Sequence, residues 1–157
     1  MENSYNVCSS RSSERQCLSD VVPLSSPYVL GISLSELCNF SCNYCIHSVK
    51  SSKKYLSNQL LSWDTFYKVL DQAEQLNGQY NIINLMGVGE PLLHPNVADM
   101  VKCISERNLT KRIEITTNAS LLTPDLSLKL VKSGLTRLII SIQGITEKNI
   151  KKFVDLR

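Results

Sequence analysis

Three cysteines lie in one run of eight residues, Cys38-Asn-Phe-Ser-Cys42-Asn-Tyr-Cys45. This C-x3-C-x2-C spacing places three thiols on one short segment, and cysteine thiolates are the usual ligands of iron–sulfur clusters. An electron-transfer cubane takes four cysteines, so three would leave one iron open to an outside ligand, as in catalytic metal sites. A zinc site made of the same cysteines and His47 is the alternative, but its spacing is unusual for zinc modules.

The other cysteines, Cys8, Cys17 and Cys103, are scattered along the chain. Six cysteines could form a disulfide framework in a secreted protein. The first 27 residues lack the apolar block of a secretory signal, and no apolar run approaches the ~18 residues of a membrane-spanning helix. We therefore expect a reduced, cytoplasmic protein without membrane contact. Cys103 is predicted to be a buried structural thiol, and Cys8 and Cys17 are assigned no role.

A second chemistry-bearing segment is the glycine-rich run Met86-Gly87-Val88-Gly89-Glu90-Pro91. Glycines let the backbone approach a ligand closely, and Pro91 fixes φ and removes a competing donor. The Glu90 carboxylate between them is an acceptor for an ammonium group. Taken alone, the run is also compatible with an ordinary turn between a strand and a helix.

Alternating apolar runs and amphipathic stretches indicate the elements that position these segments. Short apolar runs rich in β-branched residues are typical of buried parallel strands: Tyr28–Leu34, Ile82–Met86, Arg112–Thr117 and Arg137–Ile142. Helices are predicted after caps at Ser62, Asn96 and Thr123, and a fourth helix near Thr146, with Gly78 and Gly134 ending the first and third. The fourth helix is expected to continue to the last residue, Arg157.

This order predicts an α/β fold with a parallel sheet and right-handed crossovers. Each unit takes about 32 residues, close to the ~31 of a βα-barrel, but four strands cannot close a barrel. Either the sheet stays open or the sequence is a fragment, and a barrel built from these units would be partial and truncated. Its chemistry-bearing segments follow strands directly, at the carboxyl edge where parallel α/β folds place their sites.

Composition is consistent with a folded domain. Lys and Arg number 17, Asp and Glu 14, and the net charge is +3, with 43% hydrophobic and 20% charged residues. These fractions lie near globular averages of about 45–50% and 25%, which excludes wholesale disorder. The small positive charge does not by itself indicate a nucleic-acid or membrane partner. Residues 1–27 are predicted to be a flexible, serine-rich arm, and residues 28–157 a core domain that is incomplete at its C-terminus.

Four segments together resemble the radical S-adenosylmethionine (SAM) superfamily. Cys38, Cys42, Tyr44 and Cys45 match its C-x3-C-x-aromatic-C motif. Gly87-Val88-Gly89-Glu90-Pro91 is similar to its G-G-E-P strip, with one extra residue. Thr117-Asn118-Ala119 is similar to its T-N-G turn, with Ala119 in place of glycine, and Ser141-Ile142-Gln143-Gly144 to its S-x-D/Q-G. The resemblance extends from about Ile32 to Gly144, with each motif after a predicted strand.

The resemblance implies cofactors and roles. Cys38, Cys42 and Cys45 would ligate a [4Fe-4S] cluster whose fourth iron binds SAM. Gly87, Gly89, Glu90 and Pro91 would form the strip that holds the methionyl amino group, Tyr44 would lie beside the adenine, and Asn118 and Ser141 would approach the ribose or carboxylate. One electron from the cluster would cleave SAM into methionine and a 5′-deoxyadenosyl radical, which takes hydrogen from a substrate.

The sequence identifies no substrate. The segment before Cys38 and the Ser141–Gly144 strand look more like the peptide- and sugar-modifying branch, whereas the M-G-x-G-E-P strip resembles the RNA-methylating branch. The family also implies an electron donor such as flavodoxin or ferredoxin. A different hypothesis is a non-catalytic remnant that binds a cluster or zinc. Because strands five and six of the family's core are absent, exposed sheet edge would need a partner chain.

Overall fold

The structure is a computed structural model that describes residues 19, 22–23, 27–76 and 80–156. The arm predicted over residues 1–27 lies almost wholly outside the described residues, as do Cys8, Cys17 and Gly78. In chain order the elements are β1 (Val29–Ile32), β2 (Phe40–Cys42), α1 (Trp63–Gln75), β3 (Ile82–Leu85), α2 (Val97–Glu106), β4 (Ile113–Thr117), α3 (Pro124–Lys132), β5 (Arg137–Ile140), α4 (Glu147–Phe153) and β6 (Val154–Leu156).

The main sheet has four parallel strands in the order β1-β3-β4-β5. Its register aligns Gly31 with Asn84, Asn84 with Glu114 and Glu114 with Arg137. Helical crossovers connect β1 to β3, β3 to β4 and β4 to β5, so these parallel strands end at one common edge. The predicted partial α/β architecture is confirmed.

One face of the sheet carries the hydrophobic core. Strand residues such as Ile83, Leu85 and Ile115 are fully buried, because side chains two apart share one face of a strand and pack against the helices. Phe66 of α1 and Met100 of α2 are equally buried. Burying each such side chain contributes on the order of 1.5–3 kcal/mol, so this face supplies the scaffold on which the strand ends rest.

The helices begin after the predicted residues, but Asn96, which precedes α2, makes no side-chain capping hydrogen bond. Ser62 Oγ accepts a hydrogen bond from Thr65 N at 3.2 Å, and Thr123 Oγ1 accepts one from Leu126 N at 3.2 Å. Thr146 caps α4 in the same way, with 3.3 Å to Asn149 N. None of the described helices is both long enough and apolar enough to cross a membrane.

The C-terminal segment differs from the prediction. The fourth helix ends at Phe153, and Val154–Leu156 form β6, which pairs antiparallel with β2. The expectation that the helix continues to residue 157 is therefore wrong. The backbone of Phe40–Cys42 offers a pairing edge that the charged helix pattern did not reveal, and the apolar Val154 is buried there.

Candidate functional site

All four motifs lie at the carboxyl edge of the main sheet. The cysteine segment follows β1, the glycine strip follows β3, the Thr117–Ala119 turn follows β4, and the Ser141–Gly144 segment follows β5. Parallel strands bring their carboxyl ends to one edge, so segments that are far apart in the sequence, such as those around Cys38 and Gly144, become neighbours. Hydrogen bonds between the four motifs decide their arrangement.

Part of the cysteine segment, Phe40–Cys42, is a strand that the sequence analysis did not predict. Cys42 lies in β2 opposite Val154, and Asn43 N donates to Phe153 O at 3.0 Å. Cys45 N then donates to Cys42 O at 2.9 Å, which turns the chain into the 3₁₀ helix Ile46–Ser48. β6 thus fixes one side of the segment that carries the three thiols.

The donor set fits an iron–sulfur cluster. Cys38, Cys42 and Cys45 are partly buried and form no disulfide, and the other two thiols act electrostatically on Cys38. Burial raises the pKa of Cys38, an effect that the hydrogen bond from Phe40 N (3.5 Å) opposes. Each cysteine of a [4Fe-4S] cluster binds a different iron, so the three sulfur atoms do not have to surround a single metal position.

The zinc alternative fits the geometry less well. Within the described part of the chain, no three His, Cys, Asp or Glu side chains are grouped so as to hold one metal ion. His47, its proposed fourth ligand, is buried, and its Nε2 lies 3.0 Å from Val88 O. The histidine therefore joins the cysteine segment to the glycine strip.

The two glycines of the strip touch the chain that leads into Cys38. A Cβ on Gly89 would lie 2.2 Å from Leu37 O and 2.5 Å from Ser35 O, and one on Gly87 would lie 2.0 Å from Ser33 Oγ. Gly89 N donates to Ser35 O at 3.1 Å, and Glu90 N donates to Leu37 O at 2.7 Å. The glycines are needed for this backbone approach, whereas the sequence suggested an approach to a ligand.

Glu90 connects the strip to the next strand. Its side chain is buried, and Oε1 accepts hydrogen bonds from Leu92 N at 3.0 Å and from Thr117 Oγ1 at 2.5 Å. Oε2 accepts one from Asn118 N at 2.8 Å. Pro91 begins the short 3₁₀ helix Pro91–Leu93 that brings the Leu92 amide into place. The carboxylate thus has three protein donors.

Asn118 is held on several sides. Its Oδ1 accepts hydrogen bonds from Ser120 N at 2.9 Å and Ser120 Oγ at 2.7 Å, and its Nδ2 donates to Asn39 Oδ1 at 3.0 Å. Asn39 Nδ2 in turn donates to Ser120 Oγ at 2.7 Å. This ring of three side chains joins the cysteine segment to the turn after β4.

The same turn explains the departure at Ala119. Ala119 has φ +60, in the left-handed region that favours glycine. Its amide donates to Thr117 Oγ1 at 2.9 Å, which holds the turn closed. The backbone conformation suited to glycine is therefore kept with an alanine in its place.

Tyr44 and Ser141 bring in the fourth motif. The Tyr44 side chain is exposed at its ring but hydrogen-bonds at its hydroxyl to Cys42 and Gln143; loss of solvent and the adjacent Cys42 raise the pKa of Tyr44 to about 12. Ser141 N donates to Thr117 O at 2.8 Å, and its side chain is exposed. Both residues border the edge where the other motifs meet.

Sequence reasoning gave no role to three residues of this network, Asn39, Thr117 and Ser120. Asn39 and Thr117 lie within the motifs and Ser120 directly follows one, and that position was the only signal for them. His94 is buried, with Nε2 3.0 Å from Leu61 O. Cys103 is half-buried against the core.

Comparison with known proteins identifies relatives. The sequence profile of the Radical SAM superfamily matches residues 32–157. The chain is 34% identical over 128 residues to GTP 3′,8-cyclase of a Picosynechococcus species, covering 82% of this chain and 38% of the relative. It is 27% identical over 146 residues to the tungsten-containing aldehyde ferredoxin oxidoreductase cofactor-modifying protein of Pyrococcus furiosus, again covering 82% and 38%.

A solved structure shares the fold. The crystal structure of BtrN in complex with AdoMet and 2-DOIA aligns with a TM-score of 0.65 at 24% identity, over 77% of this chain and 48% of that one. At this identity the likeness concerns the fold alone. The chain spans less than two fifths of the length of the two relatives above.

Proposed function

Because the chain belongs to the radical SAM superfamily, whose members bind a [4Fe-4S] cluster and SAM, we propose that it binds both and takes part in reductive SAM cleavage. The observation that carries the proposal is the hydrogen-bonded meeting of all four motifs at one sheet edge. Superfamily membership supports SAM-dependent radical chemistry, and relatives such as GTP 3′,8-cyclase are enzymes.

We assign the cluster to Cys38, Cys42 and Cys45. A reduced cluster held there would supply one electron for cleavage of the sulfonium C–S bond of SAM, which would give methionine and a 5′-deoxyadenosyl radical. The chain's own role is to hold three thiolates on one segment. This segment pairs with β6, and the hydrogen bond between His47 and Val88 connects it to the glycine strip. Because these thiols are unpaired, they can ligate iron without prior reduction of a disulfide.

SAM is assigned to the strip and the adjoining turns. Gly87, Gly89, Glu90 and Pro91 form the strip proposed to receive the methionyl amino group, and the buried negative charge of Glu90 favours a cation beside it. Its carboxylate already accepts three protein hydrogen bonds, so it acts by shaping the strip as well as by charge. Tyr44 is proposed beside the adenine, and Asn118 and Ser141 at the ribose or carboxylate.

The hydrogen-abstraction step needs a substrate. GTP 3′,8-cyclases at 31–36% identity make a nucleotide a specific candidate, which we favour over the RNA-methylating and peptide- or sugar-modifying alternatives. Measuring GTP binding by equilibrium dialysis, with ATP as control, tests it. Equal or undetectable binding of the two nucleotides would remove this candidate for the present chain.

Residues 28–157 are proposed to act as one domain, joined to further strands at β5. Ile140 is 46% exposed, Ile142 67% and Ile145 95%. Ile140 ends β5, the last strand of the main sheet, and Ile142 and Ile145 follow it, so this edge is proposed as a pairing site for further chain or for a partner that completes the barrel. An electron donor such as flavodoxin or ferredoxin is the other proposed partner, because SAM cleavage consumes one electron.

The decisive experiment is anaerobic reconstitution with iron and sulfide, followed by reduction and addition of SAM. Iron content, the absorption spectrum and 5′-deoxyadenosine are measured for the native chain, Cys42→Ala and Cys103→Ala. Cys103 is the matched control because it is a half-buried thiol on α2, outside the motif. We expect cluster and product from the native chain and Cys103→Ala, and neither from Cys42→Ala.

Other outcomes have definite meanings. A cluster without 5′-deoxyadenosine would support the ligand assignment and restrict the proposal to binding, which is the non-catalytic alternative. Stoichiometric zinc without a cluster would refute it. Equal iron in Cys42→Ala and the native chain would show that the assigned thiols are not the ligands.

A further inference from the structure

Asn39 lies inside the cysteine motif but is neither a thiol nor part of the expected SAM contacts. Its side chain is half-buried and uses both ends of the amide: Nδ2 donates to Ser120 Oγ at 2.7 Å, and Oδ1 accepts from Asn118 Nδ2 at 3.0 Å. These bonds span 81 and 79 residues of sequence. Asn39 therefore ties the cysteine segment directly to the turn after β4.

The hydrogen bonds of the Asn118 side chain restrict which of its atoms can contact a ligand. A side-chain amide has one carbonyl with two lone pairs and two N–H donors. Ser120 N and Oγ fill the two lone pairs of Asn118 Oδ1, and Asn39 takes one N–H. Among the described residues, what Asn118 retains for a ligand is an N–H donor, which suits the oxygen of a carboxylate or hydroxyl.

We propose that Asn39 is a positioning residue that fixes the Asn118 amide, so that its remaining N–H faces a ligand oxygen while the cysteine segment holds the cluster. The inference rests on the proposed function, because the ligand is SAM bound at that cluster. Ser120 Oγ has one hydrogen, which it donates to Asn118 Oδ1, so it can only accept from residue 39. An aspartate at position 39 keeps the shape but loses that donor.

Glu90 holds Asn118 through a second contact, at its backbone. Its Oε2 accepts from the Asn118 backbone N at 2.8 Å, while Asn39 acts on the side chain of the same residue. Backbone and side chain of Asn118 are thus held by two different motifs. Because coupling between sites is reciprocal, SAM contact with Asn118 would also steady the cysteine segment through Asn39.

The test compares Asn39→Asp with Asn43→Asp in the reconstituted chain. Both changes place the same charge within the same motif, and Asn43 is exposed. We measure iron and sulfide content, SAM affinity by equilibrium dialysis, and the change in the electron paramagnetic resonance spectrum of the reduced cluster on adding SAM. We expect near-native cluster content in both variants, and SAM affinity reduced roughly tenfold, as for one lost hydrogen bond, only in Asn39→Asp.

The outcomes separate this inference from the proposed function. SAM affinity within twofold of native in Asn39→Asp, with the cluster intact, would overturn it. An equal loss in Asn43→Asp would also overturn it, since charge alone would then explain the effect. If the native chain binds no cluster, the proposed function fails.

If the native chain binds no cluster, the contact between Asn39 and Asn118 is tested in the chain without cofactors. A double-mutant cycle of Asn39→Ala and Asn118→Ala measures whether their effects on unfolding are independent. A coupling of about fivefold or more in the unfolding equilibrium constant supports the positioning contact. Additive effects overturn it.

Discussion

Replacing Gly89 by alanine gives the sharpest test of how the site is built. Gly89 approaches the chain before Cys38 so closely that an added Cβ would lie 2.2 Å from Leu37 O and 2.5 Å from Ser35 O. Both atoms belong to the backbone, so no side-chain rotation can relieve the contact. The strip must therefore move away from the segment that leads into the cysteine motif.

The size of the effect follows from this displacement. Since van der Waals contact lies near 3.5 Å, the strip must retreat by roughly 1 Å. The hydrogen bonds Gly89 N–Ser35 O (3.1 Å) and Glu90 N–Leu37 O (2.7 Å) would then exceed hydrogen-bonding distance. Two lost bonds at about 1 kcal/mol each, with 1–3 kcal/mol of overpacking, outweigh a gain of about 0.4–1 kcal/mol from a stiffer unfolded chain. We expect a net destabilisation of about 3 kcal/mol.

Urea unfolding followed by circular dichroism measures this difference. Gly31→Ala is the matched control, because a Cβ there meets nothing within 4 Å. That variant should be unchanged, or more stable by up to about 1 kcal/mol. If Gly89→Ala were no less stable than Gly31→Ala, the close approach of strip and cysteine segment would be wrong.

Three further expectations concern the same edge. Ala119→Gly should stabilise the chain by about 1 kcal/mol in thermal unfolding, because residue 119 has φ +60. The control Ala98→Gly, in α2, should destabilise it. Equal effects of the two changes would contradict the left-handed backbone conformation of residue 119. Glu90→Gln should lower the free energy of unfolding in urea by about 1–3 kcal/mol, because the NH₂ group of the glutamine would face a protein donor. A change below about 0.5 kcal/mol would argue against the hydrogen bonds to the buried Glu90 carboxylate. The hydrogen bonds from Ser57 lower the pKa of Glu36. Any stability that this pair contributes is therefore present above the ordinary glutamate pKa of about 4.3 and is lost as pH falls through the lowered pKa. NMR titration should show the low pKa of Glu36, and Ser57→Ala should raise it.

Local sequence patterns were sufficient to predict the main architecture. Alternating apolar runs and capped amphipathic stretches predicted the parallel strands and helices, because burial on one side imposes a period that the sequence must carry. The Ser62 and Thr123 caps and the helix start near Thr146 were predicted from residue type and position. The motif positions after strands followed from the same pattern, which is why their common edge could be anticipated.

Other features depend on contacts between distant segments. The pairing of β2 with β6 joins backbone edges more than 100 residues apart (Cys42 with Val154), and backbone pairing leaves little mark on either sequence. Likewise, the sequence indicated that Gly89 needs a close approach, but the chain it approaches was found only in the structure.

The sequence by itself determined the chemistry of this protein: three thiols on one segment, a carboxylate among glycines, and the strands that bring them to one edge. Only the tertiary structure decided how that chemistry is held. It placed the Glu90 carboxylate against Thr117 and Asn118, and Asn39 against Asn118. The reason is physical: residue types and local periodicity are encoded one segment at a time, whereas hydrogen-bond partners are set by how separate segments pack.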